Sequence, residues 1–446
     1  MLINKFAAFI KKVLSNTLGL PTSREGIKSL FRVSLYRNAV YLMLNSTMLA
    51  LTGFFFWIAA ARLYPTEVVG LASSAIAAIG LLSLLSTLGL DYGLIRFLPG
   101  AGDKAREMIN SCFTIGGTVS ILFALIFLAG LGIWSPALLP LRDNLLYLFA
   151  FIIFAFTTTI HTLNNQCFIA ARKSRFAMAQ GWLAGFLRFI PLVILASSFQ
   201  KFGIFVSWGI AISFAAVIAI IFFLPRTYNG YHPLPSIRKD VVGEMLRFSF
   251  ANYIANIFWM IPQLVLPIMV VNLLGAEQNA YFYIGWSTAG IVFMIPTATS
   301  LSLLAEASHD EKKLNQEMKR SLKLILLLLV PAIIVLLLLG DTILLFFGRA
   351  YSEKAPELLW ILAVSALPLS LNHVYFTIRR VEKKMQSVIW LTAFIAIATL
   401  VSSYFLLPVM GIKGAGIGWL IGQGTAALLT FPYLWRRFFR KPSNPS

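Results

Sequence analysis

Apolar runs of roughly twenty residues, each closed by a short polar break, recur along the whole chain, and that length is what a helix needs to cross a bilayer. The stretch FFFWIAAARLYPTEVVGLASSAIAAIGLLSLLSTLGLDYGLIRFLP, residues 54–99, sets the pattern. An apolar run meets a polar turn at Pro65 and Glu67, a second apolar run follows, and Asp91 and Arg96 close it. The spacing predicts two membrane-spanning helices joined by a tight turn. Twelve such spans are expected, at 38–61, 69–94, 109–133, 144–170, 177–199, 203–224, 248–272, 280–304, 324–346, 356–377, 386–408 and 413–435.

The pattern occurs twice. Arg37, Leu63, Glu67 and Gly80 are matched 210 positions later by Arg247, Leu273, Glu277 and Gly290. Phe168, Arg172, Gly203 and Ile204 are matched at an offset of 208 by Phe376, Arg380, Gly411 and Ile412, as one small indel would produce. Each copy holds six spans, an even number, so both insert the same way up and the repeat is parallel. The expected organisation is a basic segment at 1–37, a first lobe at 38–224, a linker at 225–247, a second lobe at 248–435 and a tail at 436–446. Within the first segment, Leu2, Ile3, Phe6, Phe9, Ile10, Val13, Leu14 and Leu18 share one helical face and Lys5, Lys11 and Lys12 lie off it. That is the pattern of a helix lying in a membrane interface.

Composition agrees with this reading. Only 12% of the 446 residues are charged and 59% are hydrophobic, against about 25% charged in a soluble protein. The fold class is therefore all-α integral membrane. The net charge of +20 does not call for nucleic acid, because its distribution follows the spans. Alternate connections carry thirty Lys and Arg against six in the opposite set, and Arg188, inside a span, completes the 37. By the positive-inside rule both termini and the linker face the cytoplasm. Cys112 and Cys167 sit in or beside apolar runs and read as packed thiols.

Several chemistries lack their residues. No Gly-Lys dipeptide is present to end a phosphate-cradling loop, so intrinsic nucleotide hydrolysis is excluded. The four histidines have no metal-ligand spacing, and no Asp-x-Asp pair occurs. Nearly all acidic residues fall in loops. The chain is expected to move a substrate rather than react with it, and no enzyme activity and no metal are expected.

Polar residues at membrane depth are then the pointers to function. Asn252, Asn256, Trp259 and Gln263, spaced i, i+4, i+7 and i+11, share a face of the seventh span, beside Pro262 and Pro267. Their amide and indole groups suit sugar hydroxyls, or hydrogen bonds between helices. Asn45 and Thr52 form a sparser stripe on the first span. Arg188, mid-span, can attract a phosphate or diphosphate, or be a structural cation satisfied by carbonyls. Asp91 can carry a coupling ion, or pair with Arg96. Tyr281, Tyr283 and Trp286 open the eighth span as an interface belt or a stacking surface. Asn164, Asn165, Asn372 and His373 read as helix-packing groups.

The segments ARLYPTEVVGL and LSTLGLDYGLIRFLP in the first copy, and VNLLGAEQNAYFYIGWSTAG and GIKGAGIGWLIGQG in the second, resemble the polysaccharide-biosynthesis flippases. These form the polysaccharide transporter branch of the multidrug/oligosaccharidyl-lipid/polysaccharide superfamily, and the resemblance runs from Arg37 to Arg437. It implies two lobes meeting in a V around a central cavity. It further implies alternating-access translocation of a polyprenyl-diphosphate-linked oligosaccharide across the cytoplasmic membrane, coupled to H+ or Na+. The partners it implies are the bilayer, the lipid-linked glycan and polysaccharide assembly enzymes, with the protein itself a monomer. The alternative within the superfamily is a cation-coupled multidrug antiporter. Those antiporters often carry an acidic residue in the first span, and residues 38–61 contain none.

Overall fold

The computed structural model describes residues 34–198, 201–309 and 314–439. The expected interfacial helix over residues 2–18 lies outside them. Twelve long helices make up the described chain. In the first lobe they are α1 (Ser34–Leu63), α2 (Thr66–Ser86), α3 (Ala105–Ala129), α4 (Leu145–Ala170), α5 in two pieces (Ser174–Leu187 and Phe189–Ser198) and α6 (Gly203–Thr227). In the second they are α7 (Lys239–Leu274), α8 (Ala276–His309), α9 (Leu314–Leu345), α10 (Pro356–Val381), α11 (Met385–Met410) and α12 (Ile412–Phe439). Eleven are long and apolar enough to cross a membrane. The other, α12, matches them in length but is diluted by glycines, Lys413, Gln423 and the terminal Arg436 and Arg437. With no water in the hydrocarbon, a helix satisfies its own backbone polar groups, which is why long apolar runs fold this way.

Several helices run past the expected spans, α9 by beginning at Leu314, and three departures have a local reason. The second span, read as continuous over 69–94, breaks after α2: Leu88 and Gly89 take positive φ values of 51° and 82°, and a separate helix, Leu90–Phe97, begins there. Gly89 bears this conformation without steric cost, and a Cβ there would press on Tyr253 and Ser249 of α7. The fifth span breaks at Arg188 because Pro191 has no N–H to give the carbonyl of Leu187. Helix α7 starts at Lys239, ahead of the expected 248, because the linker is held down. Glu107, Asn110, Ser111 and Thr114 form one stripe along α3. Asn110 donates to the carbonyl of His232 at 3.0 Å, the hydroxyls of Thr114 and Ser111 accept from Ser236 and Arg238 at 3.1 Å each, and Arg238 reaches Glu107 at 3.5 Å.

The two copies repeat in their backbone. The turns that close α4 and α10 put Arg172 and Lys383 at positive φ, 54° and 58°, and these residues are 211 positions apart. Each copy also ties its fourth helix to its sixth through a buried asparagine. Asn164 donates to the carbonyl of Ala216 at 3.3 Å, and Asn372 to that of Gln423 at 3.0 Å. Of the asparagines expected to pack helices, Asn164 and Asn372 do so.

Candidate functional site

The lobes face one another across α1 and α2 on one side and α7 and α8 on the other. They are sealed together at the end remote from the linker. Asn279 of α8, fully buried, directs its amide nitrogen at the carbonyl of Gly70 (2.8 Å) and the hydroxyls of Ser73 (3.0 Å) and Ser74 (2.8 Å) on α2. A methyl group at Gly70 would overlap the carbonyl oxygen of Ala276. Arg62 crosses from α1 to the C-terminus of α9, where its Nε and Nη2 donate to the carbonyls of Phe346 (2.9 Å) and Leu345 (2.6 Å). The carbonyl of Leu345 also accepts from the backbone N–H of Gly348 at 3.1 Å, and a cation suits that end of the helix dipole. Asn272 bridges to Trp134 and Ala137, and Trp57 packs on Tyr283 with ring centroids 4.6 Å apart.

Toward the linker, α2 stays in contact with α7: Tyr253 donates to the carbonyl of Leu85 at 2.8 Å, and Phe97 packs on Phe248. Between α1 and α8 the contacts stop, leaving Leu44, Leu49 and Leu51 of α1 and Ile291, Met294 and Leu301 of α8 exposed. A cleft closed at the far end and open toward the linker results. Two recesses sit in its walls. The first-lobe recess, about 380 Å³, is lined by Ser83, Thr87, Asp91 and Tyr92, by Thr158, Thr162 and Gln166 of α4, and by Asn256 of α7. The second-lobe recess, about 310 Å³, is lined by Trp259, Gln263, Trp286, Phe293, Thr297, His373 and Trp419, with Ser46 of α1 across its mouth.

The stripe read on the seventh span divides between these recesses, because α7 is the wall that separates them. Asn256 faces the first-lobe recess, Trp259 and Gln263 face the second, and Asn252 lines neither. Asp91 makes no ion pair among the described residues. Arg96 turns instead to the ring of Phe248, 5.9 Å from its centroid, and Asp91 Oδ1 is buried without a hydrogen-bond partner. Arg188 donates from Nε to the carbonyl of Gly185 at 3.1 Å and lies over the ring of Phe56 at 4.6 Å. Tyr283 of the other lobe is within electrostatic range of it. The guanidinium thus sits beneath the sealed end, with no carboxylate bound to it among the described residues.

Asn45 and Thr52 belong to a packing seam. A methyl group at Gly181 would meet Asn45 Oδ1 at 2.5 Å, and one at Gly185 would meet Thr52 Oγ1 at 2.9 Å. Small residues that let two helices approach are the expected device in a membrane. The sequence pattern passed over Thr158, Thr162 and Gln166, whose i, i+4, i+8 spacing on α4 was a usable signal. It also passed over Trp419, for which no local signal exists, and took His373 for a packing group. The cleft therefore offers neutral hydrogen-bonding groups and aromatic faces, the carboxylate of Asp91 and the guanidinium of Arg188, with Arg380 within electrostatic range of Tyr92 and His373. No cluster of three or more His, Cys, Asp or Glu occurs among the described residues.

The sequence profile of the family described as "Polysaccharide biosynthesis protein" matches residues 35–300, and that of the MatE family matches residues 251–405. No curated protein sequence matches the chain. Among solved structures, the lipid II flippase MurJ in an inward closed conformation superposes with a TM-score of 0.69 at 12% identity, covering 90% of this chain and 89% of that one. An inward-facing multidrug resistance MATE transporter of the MOP superfamily gives 0.68 at 15% identity, covering 90% and 98%. An outward-facing multidrug resistance MATE transporter gives 0.59 at 16%, covering 92% and 97%. These likenesses establish the multi-pass helical fold, and the profile match, which spans more than half of the chain, places the protein in the family described as "Polysaccharide biosynthesis protein".

Proposed function

We propose that this protein is a flippase that carries a polyprenyl-diphosphate-linked oligosaccharide across the cytoplasmic membrane for assembly of a cell-surface glycan. The observation that carries the reading is the polysaccharide family match over residues 35–300. It falls on a cleft lined mainly by neutral polar and aromatic side chains. The linker end, rich in Lys and Arg, faces the cytoplasm, so the cleft is open to the side where such precursors are made. The head group enters between α1 and α8 while the lipid tail stays in the bilayer. Arg188 draws the diphosphate toward the sealed end, and Asn256, Trp259 and Gln263 engage sugars. Asn45 supports α5 behind Arg188. Breaking the Asn279 and Arg62 contacts opens the far side and completes alternating access.

A second reading rests on one observation. The uncommitted carboxylate of Asp91 in the first-lobe recess suits H+ or Na+ coupling, and the MatE match over 251–405 allows a cation-coupled exporter. A deletion strain separates the two. Loss of surface glycan with lipid-linked precursor held at the inner face, reversed by the gene, supports the flippase. Intact glycan with new drug sensitivity overturns it in favour of export through Asp91.

A further inference from the structure

The second-lobe recess is built differently from the first. Three tryptophans from three helices meet there, Trp259 of α7, Trp286 of α8 and Trp419 of α12. The ring centroids of Trp286 and Trp419 lie 5.0 Å apart and those of Trp259 and Trp419 6.3 Å apart. His373 of α10 packs edge-on to Trp259 at 5.0 Å. Within this apolar wall two polar atoms are stranded: Trp419, 1% exposed, has no partner for its indole N–H, and Nε2 of His373 is buried without one. An unsatisfied buried donor costs about 1–3 kcal/mol, and neither group is needed for the packing its ring provides. Gln263 lines the same recess, its amide nitrogen 3.3 Å from the carbonyl of Trp259.

We propose that this recess is a saccharide subsite, which takes one sugar ring of the transported head group against the tryptophan faces. The proposal rests on the flippase reading and gives it a location. A pyranose presents an apolar C–H face and a rim of hydroxyls. The recess presents aromatic faces and the carboxamide of Gln263, and the unpartnered indole N–H of Trp419 and Nε2 of His373 lie buried in its wall. No Asp or Glu lines it, so an organic cation would find ring faces but no counter-charge. Its volume of about 310 Å³ lies at the lower end of ordinary ligand pockets, which suits a ring rather than a chain. Ser46 of α1 across the mouth makes the subsite reachable from the cleft.

The test uses the full chain in lipid nanodiscs and follows tryptophan fluorescence. The probes are methyl α-glucoside, methyl α-galactoside, N-acetylglucosamine and tetraphenylphosphonium. A saturable change with at least one sugar is expected, weakened about tenfold in Trp419→Phe, which keeps a ring and loses the N–H. Gln263→Leu, at a half-buried position, provides the same comparison should Trp419→Phe fail to fold. Saturation by tetraphenylphosphonium alone, by nothing, or with sugar affinity unchanged in both variants overturns the subsite. Flipping of a lipid-linked oligosaccharide by the wild type, run in parallel, separates the failures. If the wild type flips and no sugar binds, the subsite is wrong and the flippase stands. If the wild type does not flip, the functional reading itself fails.

Discussion

Asn279 shows how much can rest on one side chain. Its amide meets three acceptors of α2 inside a fully buried contact, so truncating it leaves those groups facing apolar surface. Asn279→Ala is expected to weaken the closed far end by about 2 kcal/mol. Gly70→Ala is expected to act more strongly, since its methyl group meets the backbone of Ala276 rather than a movable side chain. A cysteine placed at Ala280, fully buried beside the seal, in a background without Cys112 and Cys167, reports on both. It should resist an impermeant maleimide in the parent and label in the two variants; equal labelling in all three would contradict the assigned seal. Neither residue was singled out by sequence, because the partner of Asn279 lies more than 200 positions away and no spacing rule reaches that far. The stripe of Asn45 and Thr52 shows the converse. Periodicity identified the face they share, but only the packing reveals that the face meets Gly181 and Gly185.

At the scale of elements, the linker end of the second lobe is held by a charged knot. Glu382, just past the end of α10, accepts from Tyr433 at 2.8 Å and from Arg379 at 3.1 Å and pairs with Arg437, whose Nε reaches Asn315 of α9 at 2.7 Å. Burial pushes the Glu382 carboxyl up, but the hydrogen bonds from Arg437, Tyr433 and Arg379 outweigh it and hold the group below its ordinary value. A carboxylate depressed in the folded state stabilises above its unfolded pKa and loses that contribution as pH falls through the folded one. Thermal unfolding in nanodiscs should therefore show the parent keeping its margin over Glu382→Gln from neutral pH to about pH 5 and losing it as pH falls below about 4. A margin that persists there would contradict the knot. The helices themselves were legible, since apolar length alone marks a span. The breaks at Leu88–Gly89 and at Arg188 were not, because a span of the right length hides a local turn within it. The strap on α3 was hidden by the composition of the linker: Gly230, Pro233 and Pro235 suggested a free connection, and only the stripe from Glu107 to Thr114 explains why it is bound.

For the whole molecule, two parallel six-helix lobes, sealed at one end and open at the other, provide the cleft that the proposed alternating access requires. The repeat was legible from matched residues, and the distribution of Lys and Arg predicts its orientation. What crosses the cleft was not, because the residues proposed to recognise it lie on α1, α4, α5, α7, α8, α10 and α12, which only the fold brings together. Arg188→Ala is expected to keep the fold and its thermal midpoint while reducing transport at least tenfold. The guanidinium gives one hydrogen bond to its own helix and no ion pair that the loss would break. The most direct measurement is transbilayer movement of a polyprenyl-diphosphate-linked oligosaccharide in proteoliposomes holding the parent, Arg188→Ala or Gly70→Ala. The account predicts movement with the parent and little with either variant. No movement with the parent, or equal movement with all three, would contradict it.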